Sequence, residues 1–130
     1  MTELTCLELS VLLWLVHLLV AVGTVAPRLP LSYLVSARDV TIEAKGVVAG
    51  RAKRALANYL ESFTAFVALD LAFLVLHWSA GIWPILWIAA RIVYLPLYLF
   101  NVVYVRSAVW GVSLLAIVLM LIRLALAPYL

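Results

Sequence analysis

The feature that most constrains this chain is the length of its apolar runs. "LTCLELSVLLWLVHLLVAVGTV", residues 4–25, carries a single charged side chain, Glu8. A membrane-spanning helix needs roughly 20 mostly apolar residues, because it rises about 1.5 Å per residue across about 30 Å of hydrocarbon. Three further apolar stretches follow, over about 50–76, 84–100 and 107–127. Composition agrees: 68% of the chain is hydrophobic and 12% charged, with a mean hydropathy of +1.22. A soluble domain is roughly half apolar and a quarter charged. The expected fold class is therefore all-α, a transmembrane four-helix bundle formed by one integral membrane domain over residues 1–130.

The first run is not read as a cleaved signal peptide. Glu3 and Glu8 stand where a basic flank belongs, and the apolar stretch is too long. Residues 26–49 form the one long polar segment, with Pro27, Pro30 and Gly46 among scattered charges. "HWSAGIWP", residues 77–84, reads as a short turn broken by Gly81, with Trp78 and Trp83 as interfacial aromatics and Pro84 in a first helical turn. Pro96 is expected to kink the third helix. Six of the nine cations, Arg28, Arg38, Lys45, Arg51, Lys53 and Arg54, lie around the first connection, and Arg106 marks the third. The positive-inside rule puts both connections in the cytoplasm and both termini outside it. Arg123 opposes this weakly, from a place where it could snorkel outward.

Other chemistries find little support. The net charge of +3 comes from clustered loop cations that report orientation and contact with membrane lipids, so no nucleic-acid partner is expected. Cys6 is the single cysteine, and His17 and His77 are isolated. Neither an intrachain disulfide nor a metal site is expected.

The charges that do enter helical sequence are ordered. At about 100° per residue, Arg51, Arg54, Asn58 and Glu61 fall within an arc of roughly 80° on the second helix. Arg91, Tyr94 and Tyr98, spaced i, i+3 and i+7, share one face of the third. Such groups must face each other, another subunit or a wet cavity. Glu61 is a natural partner for an arginine, and Arg91 sits too deep to snorkel and calls for an anion. These residues fit a structural ion-pair network, with the tyrosines in an interfacial belt. They equally fit a pocket in which Arg54 and Arg91 bind carboxylates while Asn58 and Glu61 hold an amide and an ammonium. Glutathione is the obvious soluble ligand for that second arrangement. Arg51 and Lys53 read as headgroup anchors.

"RAKRALANYLESF" resembles the second-helix signature of the MAPEG family, the membrane-associated proteins in eicosanoid and glutathione metabolism. Its Arg, Asn and Glu are matched by Arg54, Asn58 and Glu61. "RIVYLPLY" resembles the third-helix signature, with Arg91, Tyr94 and Tyr98 at the family's spacing. The resemblance implies a homotrimer that binds glutathione as cosubstrate between subunits, through Arg54, Asn58, Glu61, Arg91, Tyr94 and Tyr98. It further implies an arginine near the start of the fourth helix that stabilises the glutathione thiolate, and Arg106 takes that catalytic role. Leu56, Ala57 and Ser62 depart from positions where eicosanoid-metabolising members carry further polar or aromatic contacts. The chain looks more like short bacterial members, which implies a bacterial inner membrane.

The leading expectation is thus a glutathione-dependent transferase or peroxidase acting on a hydrophobic small molecule that arrives from the bilayer. The alternative is a non-catalytic member that binds a lipid or a partner subunit, its polar stripe structural. Transport is weaker still, because Asp70, the other deep carboxylate, lies on the opposite face from Glu61.

Overall fold

A computed structural model describes residues 2–42 and 46–129. All regular structure among them is helical. Four long helices, α1 (Glu3–Val25), α2 (Val47–Leu76), α3 (Trp83–Leu99) and α4 (Val103–Leu126), account for most of the chain. α1, α2 and α4 are long and apolar enough to cross a membrane, whereas α3 is apolar but only 17 residues long. The connection after α1 contains a 3₁₀ turn at Ala26–Arg28 and one helical turn at Leu31–Leu34, closed where the Ile42 N–H donates to the Tyr33 hydroxyl at 3.0 Å. Lys45, among the expected loop cations, lies outside the described residues.

Local chemistry sets the helix ends. Thr2 caps α1 by accepting from the Thr5 N–H. α2 stops at His77, which takes a left-handed conformation (φ 56°, ψ 31°), while the Trp78 N–H reaches back to the Phe73 carbonyl. The stop therefore falls four residues ahead of Gly81, whose φ of +73° belongs to the following turn. Asn101 (φ 61°) plays the same part after α3, with the Val102 N–H on the Leu97 carbonyl. Pro96 sits in the last turn of α3, where little helix remains to be disrupted.

α1 packs chiefly on α2, and α3 chiefly on α4, giving two hairpins. Their shared core holds Tyr59, Phe66 and Phe73 of α2, Trp87 of α3, and Ala116 and Met120 of α4. Phe66 and Trp87 stack nearly parallel, centroids 4.0 Å apart. The Tyr59 hydroxyl donates to the Ser10 carbonyl at 2.6 Å and so fastens α2 to α1. Between the hairpins, α2 meets α4 only lightly, and that gap becomes the cleft described next.

The outward surface is apolar. Leu12, Leu19 and Val22 of α1 and Leu115 and Leu121 of α4 are exposed. In water this would be an aggregation surface; in a bilayer it meets acyl chains. The far end of the bundle is tied by polar bonds to the α2–α3 turn. Glu3 Oε1 accepts from the Ala80 N–H at 2.9 Å, and Arg123 Nε donates to the Ser79 carbonyl at 2.8 Å. Arg123 thus has a protein partner besides any headgroup.

Candidate functional site

At the end of the bundle where α2 begins, α3 ends and α4 begins, a cleft of about 590 Å³ opens between α2 and α4. Arg54, Asn58 and Glu61 line one side, Tyr94 and Tyr98 the floor, and Arg106 the other side. Ala57, Ser107 and Trp110 complete its wall. Six of the seven residues expected from the sequence therefore line one cleft. The seventh, Arg91, lines a smaller adjoining cavity of about 240 Å³, which shares Asn58, Glu61 and Trp110 with the first.

Arg91 is the deepest charge, 1% exposed. Its Nη1 donates to Asn58 Oδ1 at 2.8 Å and its Nη2 to Ser62 Oγ at 2.6 Å. The guanidinium carbon lies 5.8 Å from the Trp87 ring centroid and 5.2 Å from that of Tyr94. The sequence suggests Glu61 as the arginine's partner, but neutral oxygens take that place. An amide and a hydroxyl take the two Nη groups, leaving the buried Nε without a partner, and spare the further cost of desolvating a carboxylate. Two consequences follow. The Asn58 carbonyl oxygen is occupied by Arg91, and Glu61 keeps an exposed carboxylate facing the cleft.

The mouth is built differently. Arg106 lies on Tyr98, its guanidinium carbon 4.6 Å from the ring centroid, and Tyr98 in turn tilts against Tyr94 at 5.6 Å. Stacking restrains a long flexible side chain at little cost, because a guanidinium is planar and weakly hydrated on its faces. Arg54 is exposed and folds back over the preceding turn. A Cβ placed on Gly50 would stand 3.3 Å from Arg54 Nη1. Arg51, expected at the headgroups, instead sends Nη1 to the Leu99 carbonyl at 3.0 Å and caps the C-terminus of α3.

Chemically, the cleft offers two cations at its rim, one carboxylate, and two phenol groups, with Arg91 held behind them. A ligand bearing both carboxylates and an ammonium would match these charges. Among the described residues no group of three or more His, Cys, Asp or Glu could hold a metal ion. Sequence reading misses Ser62 as a partner for Arg91, although its position four residues after Asn58 puts it on the same face. It also misses Trp110, whose only sequence signal is its spacing of one helical turn from Arg106.

A family model describing the MAPEG family matches residues 6–126. No curated protein and no solved structure matches the chain. The match takes in all but the first three residues of α1 and the whole of α2, α3 and α4, together with every residue of the cleft. The chain belongs to the MAPEG family.

Proposed function

We propose that this membrane protein is a glutathione-dependent transferase or peroxidase acting on hydrophobic electrophiles. The observation that carries the reading is the cleft itself. It sets Arg54 and the carboxylate of Glu61 along one wall and Arg106 across from them, with two tyrosine hydroxyl groups at hand. Glutathione has two carboxylates, one ammonium and one thiol, and this set of charges complements it. Arg54 takes a carboxylate at the rim, Glu61 the ammonium, and Tyr94 and Tyr98 donate to remaining oxygens. Asn58 and Arg91 support that wall from behind.

Arg106 takes the sulfur. An ordinary thiol has a pKa of about 8.5, so a neighbouring fixed cation is needed to make it mostly thiolate near neutral pH. In the test reaction the thiol proton is lost to water. The thiolate sulfur then attacks the ring carbon of 1-chloro-2,4-dinitrobenzene that bears chlorine. A C–S bond forms, the C–Cl bond breaks, and chloride leaves with the bonding pair. Arg106→Ala is expected to lose this conjugation while keeping the assembly. Unchanged turnover would remove Arg106 from the mechanism.

In the same reading α3 also crosses the bilayer, lengthened at its ends by Ile82 and Phe100, so that four spans leave both termini outside the cytoplasm. Subunits assemble as a homotrimer that closes the open side of the cleft, in a bacterial inner membrane. One observation favours the non-catalytic alternative. Both Nη groups of Arg91 are bonded, to Asn58 and Ser62, without a ligand, as structural glue between α2 and α3 would be.

A further inference from the structure

α1 carries a buried histidine that the cleft does not use. His17 is 1% exposed, inside a helix long enough to cross a membrane. An ionisable residue at that depth needs a partner. Its Nδ1 has one, the Leu13 carbonyl of its own helix, at 2.8 Å. A carbonyl can only accept, so Nδ1 carries a proton, and the neutral ring then holds its lone pair on Nε2. That Nε2 has no hydrogen-bond partner among the described protein groups.

Two buried donors share its situation. Arg91 spends both Nη groups on Asn58 and Ser62, and its Nε–H is open. The Trp87 indole N–H is open as well. All three groups gather around Tyr59. Its ring centroid lies 4.4 Å from that of His17 and 5.6 Å from that of Trp87. The Arg91 guanidinium carbon lies 5.8 Å from the Trp87 centroid, and its charge acts on both His17 and Tyr59.

We infer that His17 is a positioning residue for Arg91, joined to it by one buried water. The water accepts from the Arg91 Nε–H and the Trp87 indole N–H and donates to His17 Nε2. Through it α1 reaches the joint between α2 and α3 and keeps the guanidinium from turning, so that Nη1 holds Asn58 in the cleft wall. The network stands without any ligand; its effect on affinity rests on the glutathione reading.

Bond counting gives the first argument. A buried water typically makes about three hydrogen bonds to groups that would otherwise go unpaired. Two donors and one acceptor are what these three side chains leave open. The other open acceptor is Asp70, both of whose oxygens lack a partner. It lies eight residues beyond Ser62 on α2, about 12 Å along the axis, too far for one water to reach Arg91.

The choice of side chain gives the second. A leucine or phenylalanine would occupy a bilayer-buried helix without a polar atom to satisfy. The bond to Leu13 fixes the tautomer that leaves Nε2 an acceptor, and an acceptor is what the Arg91 Nε–H lacks.

The test is nuclear magnetic resonance on the full isotope-labelled chain in detergent. Arg91 is the one buried arginine among the described residues, so its Nε–H is the arginine signal protected from solvent exchange. His77→Asn identifies the other histidine. In the wild type, His17 Nε2 shows the nitrogen shift of an unprotonated, hydrogen-bonded acceptor. Both the Arg91 Nε–H and the Trp87 indole N–H give cross-peaks to water. In His17→Phe the Arg91 signal moves and its exchange speeds by about tenfold or more. His17→Gln, whose amide oxygen can accept, restores both. By calorimetry, glutathione affinity falls about threefold or more in His17→Phe and returns to within about twofold of wild type in His17→Gln.

A protonated Nε2, missing water cross-peaks, or an unmoved Arg91 signal in His17→Phe overturns the assignment. A moved signal with unchanged glutathione affinity overturns the positioning role. Should His17→Phe not fold, the wild-type spectra decide the matter. The expected spectra in a protein that never binds glutathione keep His17 as the holder of Arg91 and overturn the glutathione reading alone.

Discussion

Arg91 of α3 donates to Asn58 of α2 across 2.8 Å, and with the bond to Ser62 this fixes a fully buried guanidinium on neutral acceptors. The pairing decides which charges of the site are free. Because the Arg91 Nη groups go to Asn58 and Ser62, the Glu61 carboxylate takes no hydrogen bond from Arg91 and faces the cleft, where it can meet a ligand cation.

Removing Asn58 leaves a buried charge short of an acceptor. Hydrogen bonds to charged groups contribute about 1.5–3 kcal/mol. Asn58→Ala is expected to lower the stability of the detergent-solubilised protein by about that amount in thermal or denaturant unfolding. Ser62→Ala should cost less alone, and the double variant should deviate from additivity because both bonds serve one guanidinium. Strict additivity would show that the two bonds are independent.

Much of this was legible in the sequence, and the misses have physical causes. Pro84 and the turn before it place the start of α3 to within one residue, since proline belongs in a first helical turn. The α2 start is read three residues late because Gly50 looks like a breaker, whereas it sits inside the first turn of a helix that opens at Val47. Val103–Arg106 reads as loop because it follows a polar asparagine. Left-handed Asn101 instead ends α3 so sharply that α4 begins two residues later. The one-face spacing of Arg54, Asn58 and Glu61, and of Arg91, Tyr94 and Tyr98, follows from helical periodicity. That Arg91 chooses Ser62 over Glu61 does not, because it depends on how α2 and α3 are rotated against each other. The same holds for Trp110 and the smaller cavity, which exist only through the separation of α2 and α4.

Gly50 gives Arg54 its room. With a Cβ 3.3 Å from Nη1, Gly50→Ala shifts the exposed Arg54 guanidinium by a few tenths of an ångström at the rim of the cleft. The expected result is a glutathione KM raised by less than about threefold with kcat nearly unchanged, the signature of a slightly weakened uniform binding contact. A fall in kcat at constant KM would place Arg54 in the chemical step.

Arg51 is predicted to act as a helix cap. Its bond to the Leu99 carbonyl satisfies one of the open acceptors at the end of α3. Arg51→Ala should cost about 0.5–1.5 kcal/mol and speed amide hydrogen exchange over residues 100–103. An effect seen only on partitioning into anionic bilayers would restore the headgroup role.

At the opposite end, Glu3 satisfies the Ala80 N–H in a fully buried residue. Glu3→Ala is expected to cost about 1–3 kcal/mol, because it leaves a buried donor without a partner. Glu3→Gln should recover most of that loss, since the amide oxygen can still accept. Equal loss in both variants would assign the effect to charge alone.

The central claim is that the cleft between α2 and α4 binds glutathione through its free charges. Calorimetric titration of the detergent-solubilised protein with glutathione tests it most directly. The account predicts saturable heat that is lost or strongly weakened in Arg54→Ala and Glu61→Gln, with the assembly intact. No heat and no thermal shift at millimolar glutathione would contradict it and leave the polar residues as the joint between two helices.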